Sequence, residues 1–199
     1  MENNKVILFN PRSGKWKHRV PNSILQVGAS IYGKYDLEFV DGNMENDPWE
    51  KISTLLATGN YKYFGTTVMP GPQLRQAIPI SKKIREQFPE VKIIWGGYFA
   101  TNQHPVALKS GFVDAVVSGP GDNSFPQLLD AWENGLPIHD IKSLIYLEDG
   151  KIVKTRKEEL LDQDSLPQLP YDYYNSIYPI KNYLQKTFMG SKTMAYHSS

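Results

Sequence analysis

Between residues 5 and 135 short apolar runs of β character alternate with stretches of helical periodicity, so that five strand-like segments are each followed by a helix-like one. Consecutive βα units of this kind build a parallel sheet, with each return helix laid on one face or the other. Lys5-Val-Ile-Leu-Phe-Asn10 is apolar without alternation, as a strand covered on both faces must be. Further strands are predicted over residues 35–40, 61–68, 91–95 and 113–117. Pro21 opens the first helix, where Ile24, Val27, Gly28, Ile31 and Tyr32 share a face, and Gly28 with Ala29 lets it approach the sheet. Asp47-Pro48-Trp49-Glu50 reads as a capped start for the second. The third runs from Leu74 to Phe88, with Pro79 expected to kink it. Ser124 caps the last, in which Phe125, Leu128, Leu129 and Trp132 follow the i, i+3, i+4, i+7 rule. The expected fold is a doubly wound, five-stranded parallel α/β sheet in the order 2-1-3-4-5, flavodoxin-like or Rossmann-like.

Beyond Gly135 the pattern changes. Leu144 to Val153 is a hairpin around Asp149-Gly150, a pair suited to a type I′ turn, and is expected to lie outside the core sheet. The stretch from Lys157 to Tyr178, rich in charge, proline and tyrosine, reads as an irregular wrapping segment or linker. The division expected is an α/β domain over residues 1–137 and a hairpin with connector over residues 138–199.

Composition narrows the function. A chain of 199 residues, 40% hydrophobic and 22% charged with a net charge of +1, has neither the field that draws nucleic acid nor the roughly 18-residue apolar run of a membrane span. The N-terminus has no signal-peptide pattern, so a cytoplasmic location is expected. There are no cysteines and four scattered histidines, which leaves no thiolate nucleophile, no cysteine-held cluster and no histidine-rich metal motif.

In an open parallel sheet, ligands bind beyond the carboxyl ends of the strands. The loops there are Asn10-Pro-Arg-Ser-Gly14, Asp41-Gly42-Asn43, Thr66-Thr-Val-Met-Pro-Gly-Pro72, Gly96-Gly-Tyr-Phe-Ala-Thr101 and Ser118-Gly-Pro-Gly-Asp122. Each alone reads equally as an ordinary βα turn. Together they outline a broad, backbone-lined cleft suited to a large ligand. A dinucleotide site would rest on Asp41 alone, the phosphate-loop motif is missing, and a phosphorelay receiver would need acidic residues where Asn10 and Thr66-Thr67 stand. No nucleophile elbow or catalytic carboxylate pair is present. The chain alone is not expected to be catalytic.

The order Val-Ile-Leu-Phe-Asn-Pro, Val-Asp-Gly, Gly71-Pro-Gln73, Ile-Trp-Gly-Gly-Tyr and Val-Ser-Gly-Pro-Gly-Asp resembles the N-terminal cobalamin-binding domain of radical S-adenosylmethionine enzymes. The hairpin and Leu-Pro-Gln-Leu-Pro-Tyr-Asp resemble that family's passage into its catalytic barrel. The resemblance spans nearly the whole chain. It implies a cobalamin-binding module for an enzyme that transfers methyl groups, with S-adenosylmethionine and a 4Fe-4S cluster in a downstream domain. The family's Cys-x-x-x-Cys-x-x-Cys is absent, so the chain is expected to be a fragment ending before that domain. Cobalamin-binding positions implied are Asn10, Pro11, Arg12, Ser13, Thr66, Thr67, Met69, Gly71, Gly96, Gly97, Tyr98, Gly119 and Gly121. Thr66, Thr67, Gly96 and Gly97 match the positions lining the slot for the nucleotide tail. In the histidine-bearing relatives the first loop ligates cobalt from below. Here Arg12 stands in that loop, with no lone pair to offer a metal, so cobalamin would bind with its own base displaced. His18 and His104 are the alternative ligands. A second reading stays open: a non-catalytic flavodoxin-like module for another ligand or a protein partner.

Overall fold

The computed structural model describes residues 5–14, 18–159 and 162–194. The order of elements is β1 (Lys5–Asn10), α1 (Asn22–Ile31), β2 (Asp36–Asp41), α2 (Pro48–Ala57), β3 (Tyr61–Thr67), α3 (Leu74–Gln87), β4 (Lys92–Gly96), α4 (Gly97–Asn102), α5 (His104–Lys109), β5 (Ala115–Val117) and α6 (Ser124–Glu133). Next come β6 (Leu144–Glu148), β7 (Lys151–Lys154), α7 (Tyr171–Ile177), β8 (Gln185–Thr187) and β9 (Gly190–Thr193).

Strands β1 to β5 are parallel and lie in the order 2-1-3-4-5. The unbroken apolar run of β1 serves both faces by the twofold alternation of a strand. Val6 and Leu8 join one core with α1 and α6, while Ile7 and Phe9 join the other with α2, α3 and α5. Helix α1 sits close on the sheet because residue 28 is glycine, where a Cβ would fall 2.6 Å from the Phe39 ring. Asp47 caps α2 by accepting from the Trp49 amide at 2.9 Å. Helix α3 continues through Pro79, which removes only the N–H that would have met the Arg75 carbonyl. Ser124 is the first residue of α6 and not its cap.

The hairpin is not outside the core sheet as expected. Strand β6 pairs antiparallel with β5, and β7 with β6, making seven strands in all. The reason is the open edge of β5, whose unpaired backbone groups need a partner. Leu144 and Tyr146 pack on the α1 and α6 face and Ile145 on the other, so β6 is apolar on both sides. Asp149 and Gly150 turn the hairpin with φ of 50° and 75°, as a type I′ turn requires.

The wrapping segment carries more structure than its composition suggests. Helix α7 and a 3-10 turn at Ile180–Tyr183 return over the end of β2. Tyr173 donates to the Leu37 carbonyl at 2.5 Å, and the Tyr174 ring stands edge-on to Phe39 at 5.5 Å. Among the described residues no helix is long and apolar enough to cross a membrane.

Candidate functional site

The carboxyl ends of the strands carry two distinct arrangements, one hollow and one filled. The hollow one is a cavity of about 320 Å³ on the α1 and α6 face, at the lower end of the roughly 300–1,000 Å³ usual for small-molecule sites. Its floor is apolar: Leu8, Ile94, Val117 and Phe125. Gly65 belongs to that floor, and a Cβ on it would meet Leu8 at 2.8 Å and the Phe125 ring at 3.1 Å. Ser23, Ile24, Gln26 and Val27 of α1 form one wall, and the loop from Gly119 to Asp122 with Leu166 closes the other.

At the rim the two consecutive glycines differ. Gly96 has ordinary extended backbone, φ −128°, and a Cβ on it would meet nothing nearer than the Val117 carbonyl oxygen at 3.8 Å. Gly97 has φ +84°, and its Cβ would lie 2.8 Å from Thr67 Oγ1 and 2.9 Å from the Val68 amide nitrogen. Gly96 therefore leaves space for a ligand, whereas Gly97 lets the chain turn.

The filled arrangement lies at the carboxyl ends of β1 and β2. Asp41 is fully buried. Its Oδ1 accepts from Asn10 Nδ2 at 2.9 Å and from the Asn43 backbone and side-chain nitrogens at 3.0 and 2.9 Å, and its Oδ2 from the hydroxyls of Tyr174 and Tyr183 at 3.1 and 2.6 Å. Tyr178 donates to Glu45 at 2.5 Å and accepts from Lys51 at 3.0 Å. Burial, and then the Asp41 charge, pushes the Tyr174 and Tyr183 hydroxyls up from the ordinary range near 10, so both remain protonated donors. The carboxylate is saturated from inside the chain and is closed to a ribose. The one residue on which a dinucleotide site would rest is therefore taken.

The first loop belongs to this filled side. The Arg12 guanidinium donates to the carbonyls of Gly42 and Glu45, each at 2.8 Å. Ser13 is held by Asn43 at 3.0 Å, and the Pro11 carbonyl accepts from Gln73 Nε2 at 3.0 Å. Gln73 also accepts from the Met69 amide at 2.7 Å, so it staples the loops after β1 and β3 together.

Of the positions implied by sequence, Thr66, Thr67, Gly96, Gly97, Gly119 and Gly121 come together in the cavity lining. Asn10, Pro11, Arg12 and Ser13 sit beside it in the filled network and not in its lining. Met69 (48% exposed) and Tyr98 (63% exposed) stand in the loops after β3 and β4, as does Gly71 with φ +96°. His18 and His104 are not among the lining residues, and His104 Nδ1 is paired with the Thr101 carbonyl at 2.9 Å. Among the described residues no group of three or more His, Cys, Asp or Glu is placed to hold a metal ion. Sequence reasoning missed Gly65, Gln26 and Leu166, and named Asp122 only as the end of the loop after β5. A glycine inside a strand was the available signal for Gly65; nothing local marked Gln26 or Leu166.

No family model matches the chain. An uncharacterized methyltransferase of Pyrococcus horikoshii is 23% identical over 176 residues, which are 84% of this chain and 38% of that protein. An anaerobic magnesium-protoporphyrin IX monomethyl ester cyclase of Synechocystis is 29% identical over 73 residues, 36% of this chain and 15% of that one. Among solved structures, the cobalamin-dependent S-adenosylmethionine radical enzyme OxsB with aqua-cobalamin bound superposes with a TM-score of 0.77 at 15% identity, covering 90% of this chain and 26% of OxsB. The radical S-adenosylmethionine methyltransferase TsrM of Kitasatospora setae, with cobalamin and an iron–sulfur cluster bound, gives 0.66 at 21% identity, covering 84% and 31%. The chain has the fold of part of these cobalamin-dependent radical enzymes. It spans well under half the length of each of the four proteins.

Proposed function

We propose that the chain is the cobalamin-binding module of a radical S-adenosylmethionine enzyme that transfers methyl groups. The observation that carries this reading is the cavity itself. It is apolar at the floor, roofed by glycine where a side chain would otherwise stand, and placed where an open parallel sheet takes its ligand. Its volume suits a flat bicyclic base with its sugar and is far too small for a complete corrinoid. The nucleotide tail would enter between Gly96 and Gly119-Pro-Gly121, with Leu8, Gly65, Ile94 and Phe125 excluding water from the base. Met69, Gly71 and Tyr98 would be available to the corrin ring outside.

Bound cobalamin supplies a cobalt centre that can carry a methyl group, while the protein supplies binding and orientation. With Arg12 occupied by backbone carbonyls and neither His18 nor His104 in the lining, no side chain among the described residues is offered as a lower ligand, and a base held in the slot is not on the metal. S-adenosylmethionine and a 4Fe-4S cluster would belong to a downstream radical domain; residues 1–137 would supply most of the binding slot, and residues 138–199, which close it with Leu166, would lead toward that domain. Equilibrium dialysis against hydroxocobalamin is expected to show one equivalent retained per chain. No retention would leave the flavodoxin-like binding module as the better reading.

A further inference from the structure

Two polar atoms among the cavity-lining residues have no partner. Asp122 is only 8% exposed, yet its Oδ1 is shut off from solvent without a hydrogen bond, and so is Nε2 of Gln26. The contrast with Asp41, whose two oxygens take five bonds, is direct. A buried carboxylate oxygen left unpaired is unfavourable, and on a residue that lines a ligand cavity a turn of the side chain would bring it to a donor held there. The other two unpartnered buried atoms described, on His18 and Glu38, are not in this lining.

The chemistry of the two groups is complementary. An ionised carboxylate can only accept, and the nitrogen of a carboxamide can only donate. A ligand satisfying both must bring a donor and an acceptor into an otherwise apolar slot. The benzimidazole base of cobalamin, once off the metal, has a free ring nitrogen that accepts and no N–H; the attached ribose has hydroxyls that donate. We propose that Asp122 accepts from a ribose hydroxyl of the nucleotide tail and that Gln26 donates to the freed ring nitrogen. The inference rests on the cobalamin reading and deepens it. The slot recognises the tail chemically as well as by shape, and Gln26 holds the base by the atom that would otherwise return to cobalt.

The test measures affinity and stability together, on wild type, Asp122→Ala, Asp122→Asn and Gln26→Leu. Hydroxocobalamin should bind Asp122→Ala and Gln26→Leu at least about tenfold more weakly than wild type, with Asp122→Asn between. Cobinamide, which has no nucleotide, should give the same titration with wild type and variants. The ligand-free variants should melt no lower than wild type, because each substitution removes or softens an unpaired buried group. Unchanged hydroxocobalamin affinity in the variants overturns the inference, as does an equal loss for cobinamide or a lowered melting temperature in step with the affinity, since either marks a structural role. Failure of the wild-type chain itself to take up hydroxocobalamin is a different result, and it removes the functional reading beneath.

Discussion

Gly96→Leu is expected to melt like wild type and to lose at least about a hundredfold in hydroxocobalamin affinity. The backbone at Gly96 is one any residue adopts, and its Cβ direction is open to 3.8 Å, so the added side chain projects into the slot and fills it without straining the fold. Its neighbour behaves oppositely. At Gly97 even alanine must take a left-handed φ of +84° and place its Cβ 2.9 Å from a backbone nitrogen, a conformation that alone costs about 1–2 kcal/mol. Gly97→Ala should therefore lower the melting temperature before it says anything about binding. Thermal denaturation and equilibrium dialysis on the two variants separate the roles. A Gly96→Leu chain that folds and still binds as wild type does would place the tail elsewhere.

Asp41→Ala should be the most damaging single substitution at the carboxyl ends of the strands. It removes the acceptor of five hydrogen bonds in a fully buried position, leaving the Asn10 and Asn43 donors unpaired and the Tyr174 and Tyr183 hydroxyls, 2.6 Å apart, with only each other. Hydrogen bonds to a charged group and their stranded partners put the loss at about 3 kcal/mol or more, a fall of roughly 6–12 °C in melting temperature for a chain of this size. Asp41→Asn keeps one acceptor oxygen, and the tyrosine hydroxyls can rotate to accept from its amide, so less than half that loss is expected. Because α7 is tied to the sheet through the same carboxylate, proteolysis between Tyr171 and Tyr183 should quicken in Asp41→Ala. A melting temperature within a degree or two of wild type would show that the network contributes little.

The five parallel strands and their order were readable because the signals are local: a two-faced apolar run in Lys5–Asn10, helical stripes after each strand, and no crossover that would reorder them. The Asp149-Gly150 hairpin was readable as a hairpin but not in its place, since nothing within ten residues reports that β5 offers an open edge. The apolar triplet Leu144-Ile145-Tyr146, with no alternation, was the one hint that both its faces would be covered. For the site, the strand-end glycines found the cavity rim, yet Gly96-Gly97 as letters cannot say which one is open and which is strained, because that depends on the sign of φ. Arg12 was placed correctly in its loop, while its direction was set by the free carbonyls of Gly42 and Glu45 across the gap. The convergence of Tyr174, Tyr178 and Tyr183 on Asp41 and Glu45 joins residues more than 130 positions apart, which no periodicity carries.

In the proposed complex the cobalamin tail leaves cobalt and enters the cavity between the sheet, α1 and α6. Electron paramagnetic resonance of cob(II)alamin bound to the chain tests it most directly. A benzimidazole held in the slot cannot coordinate, and the lining's only side-chain nitrogen among the described residues, the Gln26 carboxamide, has no lone pair to give a metal, so the bound spectrum should lack the threefold nitrogen superhyperfine splitting of base-on cob(II)alamin. A protein-bound spectrum that retains this splitting would mean that a nitrogen still ligates cobalt from below, and would contradict the account.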